Sequence, residues 1–291
     1  IGVAVCDGDW LVANPRLTIY RKGGKVDFLA IKNFIVENSK DENTEFLSNL
    51  INQSDEKNTG EVIEKIIDTS DNLVEGVVEN LSDKDNKFLT TSTSEGAGLI
   101  KEKIFETIVA KETDKSAAIL SKVMAKSDDA TVFSVINNIT EKNTNQNSKL
   151  SLKVMADFSE KNSEKLESLA QNSADQIQKL TVSAVEEAAS SQEDADLIGK
   201  IVSGASEEVI NKVITEVTKN STEEKQALSA KVMKTIVETN PDKMETLSDE
   251  NKENIITQTI EAAKNQSEGT STDDLDLTNT IAEIISNSDS G

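Results

Sequence analysis

Histidine is absent from this chain of 291 residues. That gap removes the usual general base near neutral pH and the commonest metal ligand. Cysteine occurs once, as Cys6, so no internal disulfide can form. With no imidazole to activate it, the Cys6 thiol reads as structural rather than nucleophilic. Arginine is confined to Arg16 and Arg21, and proline to Pro15 and Pro241. Aromatic residues make up only 3% of the chain against 36% hydrophobic residues, too little bulk for a large compact core. Thin stacking of helix pairs, each touching only its neighbours, can rely on Ile, Leu, Val and Ala instead. No stretch approaches the roughly 18 consecutive apolar residues of a membrane span.

Positive charge is scarce too. Fifty-three acidic residues face 31 basic ones, for a formal charge of −22. Such a surface repels nucleic-acid phosphates and anionic lipid, and no basic patch offsets it, so nucleic acid is excluded as a partner. It also repels copies of itself, so self-association should be helped by salt or cations, which screen charge over about 10 Å at 0.1 M. The preference for Lys over Arg, with abundant Asn, Ile and Ser, points to an AT-rich, prokaryotic coding genome. The start at Ile1 instead of Met leads us to expect a processed or truncated chain. Together with the acidic, Ser/Thr/Asn-rich surface, it leads us to expect a protein of the cell surface or exterior.

What is present divides into two textures. Residues 1–32 are β-rich: Gly2–Val5 and Trp10–Ala13 flank a Cys6-Asp7-Gly8-Asp9 turn, and Leu17–Arg21 and Val26–Ile31 flank Lys22-Gly23-Gly24-Lys25. Short β-prone runs around Gly-containing turns predict hairpins. From residue 33 the period becomes helical. Val62, Ile63, Ile66 and Ile67 paint one face of a helix, as do Leu73, Val74, Val77 and Val78, and Val209, Ile210, Val213, Ile214 and Val217. Ser, Asn, Asp and Thr clusters separate the helices, and Ser221 with Glu224 fits a capping box.

Comparing the chain with itself yields the strongest signal. Lys153-Val154-Met155 recurs as Lys231-Val232-Met233, an offset of 231 − 153 = 78 residues. The same offset carries Asn162 onto Asn240, Leu169 onto Leu247, Ile177 onto Ile255 and Val135 onto Val213 without a gap. Within a unit, Lys122-Val123-Met124 returns at Lys153-Val154-Met155, so each unit holds a shorter and a longer sub-repeat. The expected fold is therefore mainly α, a tandem helical-repeat solenoid behind a short β-rich segment. Its parts are residues 1–32, degenerate helical repeats over 33–116, repeat units at 117–194 and 195–272, and a partial further repeat at 273–291. Leu99 and Ile104, 78 residues before Ile177 and Val182, link the degenerate part to the rest. Short capped helices in pairs loosely resemble the acidic helical repeats of magnesium-transporter cytosolic domains and flagellar-switch proteins. No diagnostic motif accompanies that resemblance, so no residue roles are carried over.

Chemistry-bearing motifs are few. Asp83, Asp85 and Asn86 open like a calcium loop, but Phe88 stands where Gly is required and Ser94 where Glu is required. Asp7 with Asp9, and Asp273, Asp274 and Asp276, are short acidic clusters that could take Ca2+ weakly. Gly96-Ala97-Gly98 lacks the strand and the Lys-Ser/Thr of a phosphate loop. Met124, Met155 and Met233 hold repeat-locked positions, which marks them as core. The Glu186-Glu187 pair reads as part of a solvated helix face. Asn52, Asn80, Asn138, Asn220 and Asn265 sit in glycosylation-type triplets that a chain this rich in Asn, Ser and Thr produces by chance. No catalytic residue or cofactor site is assigned. The sequence leads us to expect a non-enzymatic structural protein that assembles with itself into an extracellular filament or surface layer. The alternative is a monomeric scaffold holding a protein or peptide on its concave face.

Overall fold

The structure, a computed structural model, describes residues 2–6, 13–18, 44–52, 56–84, 87–90, 95–142 and 149–267. It is mainly α-helical and divides into two units, Ile1–Ile108 and Val109–Gly291.

In the first unit, β1 (Gly2–Cys6) pairs antiparallel with β2 (Ala13–Thr18). The second strand thus lies later than the Trp10–Ala13 run picked out by residue type, and it contains Pro15. Register shifts between Val3 and Ala4, so that Val3 faces Leu17 and Ala4 faces Pro15, leaving Arg16 as a bulge. A bulge is how a strand accommodates a residue that breaks its ladder. The expected strand Val26–Ile31 lies outside the described residues. Helices α1 (Thr44–Asn52), α2 (Glu56–Thr69), α3 (Asp71–Asp83), α4 (Lys87–Thr90) and α5 (Glu95–Val109) follow. Both α1 and α2 pack on α3. Leu47, Ile51, Val62, Ile63, Ile66, Leu73, Val77 and Leu81 are buried, which is the face the helical period drew. Of the two residues that extended the repeat into this region, Ile104 is buried and Leu99 is 63% exposed.

The second unit contains α6 (Asp114–Lys126), α7 (Asp129–Lys142), α8 (Leu150–Lys161), α9 (Ser163–Asn172) and α10 (Ala174–Glu187). It continues with α11 (Gln192–Gly204), α12 (Glu207–Thr218), α13 (Glu223–Thr239), α14 (Asp242–Glu245) and α15 (Asp249–Ser267). The helices lie in two rows. One row runs α6, α8, α11, α13, each packed on the next, and the other runs α7, α10, α12, with α15 packed on both α12 and α13. Met124, Met155, Met233, Phe158, Val213 and Ile214 are among the fully buried residues between them.

One pair of helices keeps the spacing of the sequence repeat at both ends. Both ends of α6 lie 78 residues before those of α11, Asp114 against Gln192 and Lys126 against Gly204. The caps agree: Thr113 accepts from the Ser116 N–H, and Ser191 from the Asp194 N–H. Inside the helices, Thr140 donates to the Ile136 carbonyl and Thr218 to that of Ile214. Thr181 to Ile177 and Thr259 to Ile255 form a second matching pair. The cap of α13 falls one residue past the expected Ser221, since Thr222 accepts from the Lys225 N–H. Adjacent hydroxyl residues compete for the cap, and the helix starting at Glu223 selects the nearer one.

Candidate functional site

The chemically distinctive place in the second unit is the turn between α10 and α11, where buried charge and backbone meet. Three sequence features build it. Helix α10 ends in Glu186-Glu187, the turn Ala188–Ser191 is short, and α11 opens with acidic residues in its first turn. Acidic side chains near a helix N-terminus are favoured by its dipole and unpaired N–H groups.

Asp194 is fully buried, and its carboxylate receives both bonds of the Lys149 ammonium, at 2.6 and 2.8 Å. The Ala189 N–H donates to Asp194 Oδ2 at 2.8 Å. Lys149 sits at the N-cap of α8 in a left-handed conformation, φ 55°, and its side chain makes no cap bond. The open end of α8 is met instead by Glu187, whose Oε2 accepts from the Leu152 N–H at 3.1 Å. This corrects the reading of Glu187 as solvated. It is buried, because the C-terminus of α10 lies against the N-terminus of α8 and a carboxylate there satisfies an unpaired donor.

Two lysines of α13 complete the arrangement. Lys231 Nζ donates to the Ser190 carbonyl at 2.7 Å. Lys225 Nζ donates to the Val185 carbonyl at 3.0 Å and to that of Ala188 at 3.5 Å. Burial holds the Lys225 amine below its usual value of 10.5, against the pull of Glu224, Glu186 and Glu216, which favour the charged form. The unfolded chain therefore binds more protons than the folded one between that lowered value and 10.5, and stability rises with pH across this window. The expected result is that wild type gains stability relative to Lys225→Met as the pH is raised towards 10.5. Urea midpoints of both chains at several pH values test this, and a difference that stays constant with pH would refute it.

These contacts fasten helix ends. The carboxylates of Asp194 and Glu187 are occupied by an ammonium and by backbone donors, which leaves them poor candidates for moving protons. Similar lysines reach back along the unit: Lys165 to Asp129 at 2.8 Å, Lys179 to Glu141 at 2.6 Å and Lys200 to Glu160 at 3.2 Å. Lys243 donates to the Ala205 carbonyl at 3.0 Å. With Lys231, these bonds span 36 to 41 residues, about one sub-repeat. In the first unit Lys103 reaches Glu64 over 39 residues.

Two shallow grooves lie on the second unit. The groove between α6, α8 and α11 is floored by Ala117, Ala156 and Leu197, with Lys153 paired to Asp114 at 2.6 Å along its side. The groove across α10, α12 and α15 is lined by Gln178, Thr215 and Asn254 beside a polar lock. In that lock, Asn251 Nδ2 donates to Asn211 Oδ1 at 2.9 Å, and Thr215 donates to Asn251 Oδ1 at 3.0 Å.

The acidic candidates Asp7, Asp9, Asp273, Asp274 and Asp276 lie outside the described residues. Among the described residues, no group of three or more carboxylate or thiol side chains is gathered to hold a metal ion. No described helix is long and apolar enough to cross a membrane. Reading the residues in order missed the fastening at 188–191. The 78-residue offset contained a signal for it: one offset before Asp194 stands Ser116, and one offset after Lys149 and Glu187 stand Ala227 and Asn265. Departures from a repeat in residues that meet mark a contact one copy makes and the other does not.

No family model matches the chain, and no curated protein matches it. A solved chain from work described as "Computational Design of Self-Assembling Cyclic Protein Homooligomers" is similar at 17% identity. The match covers 91% of this chain and 96% of that one, with a TM-score of 0.17, too low to bear on fold or function.

Proposed function

We propose that this chain is a non-enzymatic structural protein, a helical-repeat solenoid that assembles with itself into a filament or surface layer outside the cell. The observation that supports the reading is that the 78-residue sequence offset reappears in the ends and caps of α6 and α11 and in the buried threonines Thr181 and Thr259. Each helix pair is fastened to the one before it by lysines reaching back about one sub-repeat, which is how a stack grows by nearest-neighbour contacts. Exposed ion pairs of this kind contribute about 0–1 kcal/mol each, so they set register more than stability. Scarce catalytic residue types and carboxylates already engaged by fixed donors favour a mechanical role over chemistry. The exterior location rests on composition: an acidic, Ser/Thr/Asn-rich surface with a charge of −22.

Electron microscopy of the purified chain at high concentration, with and without added Ca2+, tests assembly. Ordered fibres or sheets that need cations or salt are the expected result, because screening must offset the charge. Isolated particles under every condition would end the assembly reading. They would favour a scaffold binding a peptide along the groove across α10, α12 and α15, whose exposed Gln178 and Asn254 offer hydrogen bonds to a backbone.

A further inference from the structure

We propose that the second unit carries two mutually exclusive fastenings that keep α10 and α15 from exchanging places, within one chain or between two. The inference rests on the 78-residue offset and not on the assembly reading. One offset separates similar apolar faces: Ile177 and Ala184 of α10 recur as Ile255 and Ala262 of α15, all four buried. Helix α10 packs on α7 and α8, and α15 packs on their counterparts α12 and α13. Counterparts that match in shape can pair wrongly, and such misassembly is a characteristic failure of repeat proteins. Sorting them needs contacts that the wrong pairing breaks.

The faces differ where they fasten. Between α7 and α10, Lys179 Nζ donates to Glu141 Oε1 at 2.6 Å and to Asn137 Oδ1 at 3.2 Å. One offset on, Lys179, Glu141 and Asn137 become Thr257, Lys219 and Thr215. Between α12 and α15 the buried Asn251 takes over. Its Nδ2 donates to Asn211 Oδ1 at 2.9 Å, and its Oδ1 accepts from Thr215 at 3.0 Å. One offset back, Asn211 and Asn251 are Phe133 and Ser173. Exchange therefore creates a mismatch in both places. Helix α10 laid on α12 would bring the Lys179 ammonium to that of Lys219, like charge against like charge. Helix α15 laid on α7 would set Asn251 against the Phe133 ring, which offers its buried amide no side-chain acceptor. A charge lock and an amide lock at equivalent positions cannot replace each other.

Asn211→Phe, Thr215→Asn, Lys219→Glu, Asn251→Ser and Thr257→Lys together give α12 and α15 the lock of α7 and α10. The combined variant should lose the discrimination while keeping contacts the chain already makes elsewhere. The full chain is unfolded in urea, refolded by dilution over a concentration series at low salt, and separated on a sizing column. Refolded wild type should match protein that was never unfolded. The variant should contain about fivefold more of a dimer that persists on dilution, since each mismatch it removes costs about tenfold in pairing. Comparison with never-unfolded protein separates exchange from assembly through another surface, because only exchange requires helices to open. Lys219→Glu alone keeps the test decisive if the combined variant fails to fold. That side chain is 58% exposed, and its replacement removes only the like-charge clash, so the refolded dimer should rise about twofold. If neither variant exceeds wild type, or if wild type itself exchanges on refolding, the proposal is overturned.

Discussion

Replacing Lys149 with Met is expected to destabilise the second unit by about 3–5 kcal/mol, the range for removing one partner of a buried ion pair. Asp194 is fully buried, and Lys149 supplies the cation that its carboxylate touches, through two bonds of 2.6 and 2.8 Å. Without it, the Ala189 N–H remains at 2.8 Å, too little compensation for a buried negative charge. The asymmetry of the pair offers a check. The Lys149 side chain is 25% exposed and can reach water when its partner goes, so Asp194→Asn should cost clearly less than Lys149→Met. In the double variant Lys149→Met with Asp194→Asn, much of the loss should return, since no buried charge is left unpaired. Urea unfolding followed by far-UV circular dichroism measures all three. Equal costs for the two single changes, or strictly additive ones, would show that the pair does not act as described. Lys149 also holds a left-handed backbone, φ 55°, so Lys149→Gly should cost less than Lys149→Met by relieving that strain.

Gly204→Ala is expected to lower stability by about 3 kcal/mol, although Ala is intrinsically the better helix former by about 1 kcal/mol. Gly204 closes α11 against α8, and an added Cβ would fall far inside contact distance of the Ser159 carbonyl. A flexible side chain could move away. A backbone carbonyl in a packed helix cannot, so the two helices must separate along the row. Gly98→Ala is the control, because nothing lies within 4 Å of the position its Cβ would take. There the expected change lies between zero and a gain of about 1 kcal/mol. Thermal unfolding of both variants decides the matter. If Gly204→Ala were as stable as wild type, the close approach of α11 to α8 would be wrong. The repeat gave no warning of this, because Lys126, the residue 78 before Gly204, is exposed at the end of the first helix in the row.

The charge ladder illustrates what could not be read in order. Nothing local pairs Lys179 with Glu141 or Lys243 with the Ala205 carbonyl, because those partners lie 38 residues away in each case. The same holds for Glu187. As one of two adjacent acids at a helix end it reads as solvated, and only the arrival of the α8 N-terminus makes it a buried acceptor. The cap read at Ser221 fell one residue short: hydroxyl residues cluster before α13, but choosing Thr222 over Ser221 required the helix itself.

By itself the sequence determined the mainly helical class, the faces of the helices and the 78-residue offset between matching residues. Those depend on period, and period is a property of neighbours along the chain: Val209, Ile210, Val213, Ile214 and Val217 must share a side of any helix they form. It also determined the chemical poverty of the chain, because no fold can supply an imidazole that is not encoded. The tertiary structure alone decided how the helix pairs are fastened, through Lys149 on Asp194, Glu187 on the end of α8, and Gly204 against Ser159. Each of those contacts joins residues some 35 to 45 positions apart, a separation set by how whole helices stack rather than by any local preference.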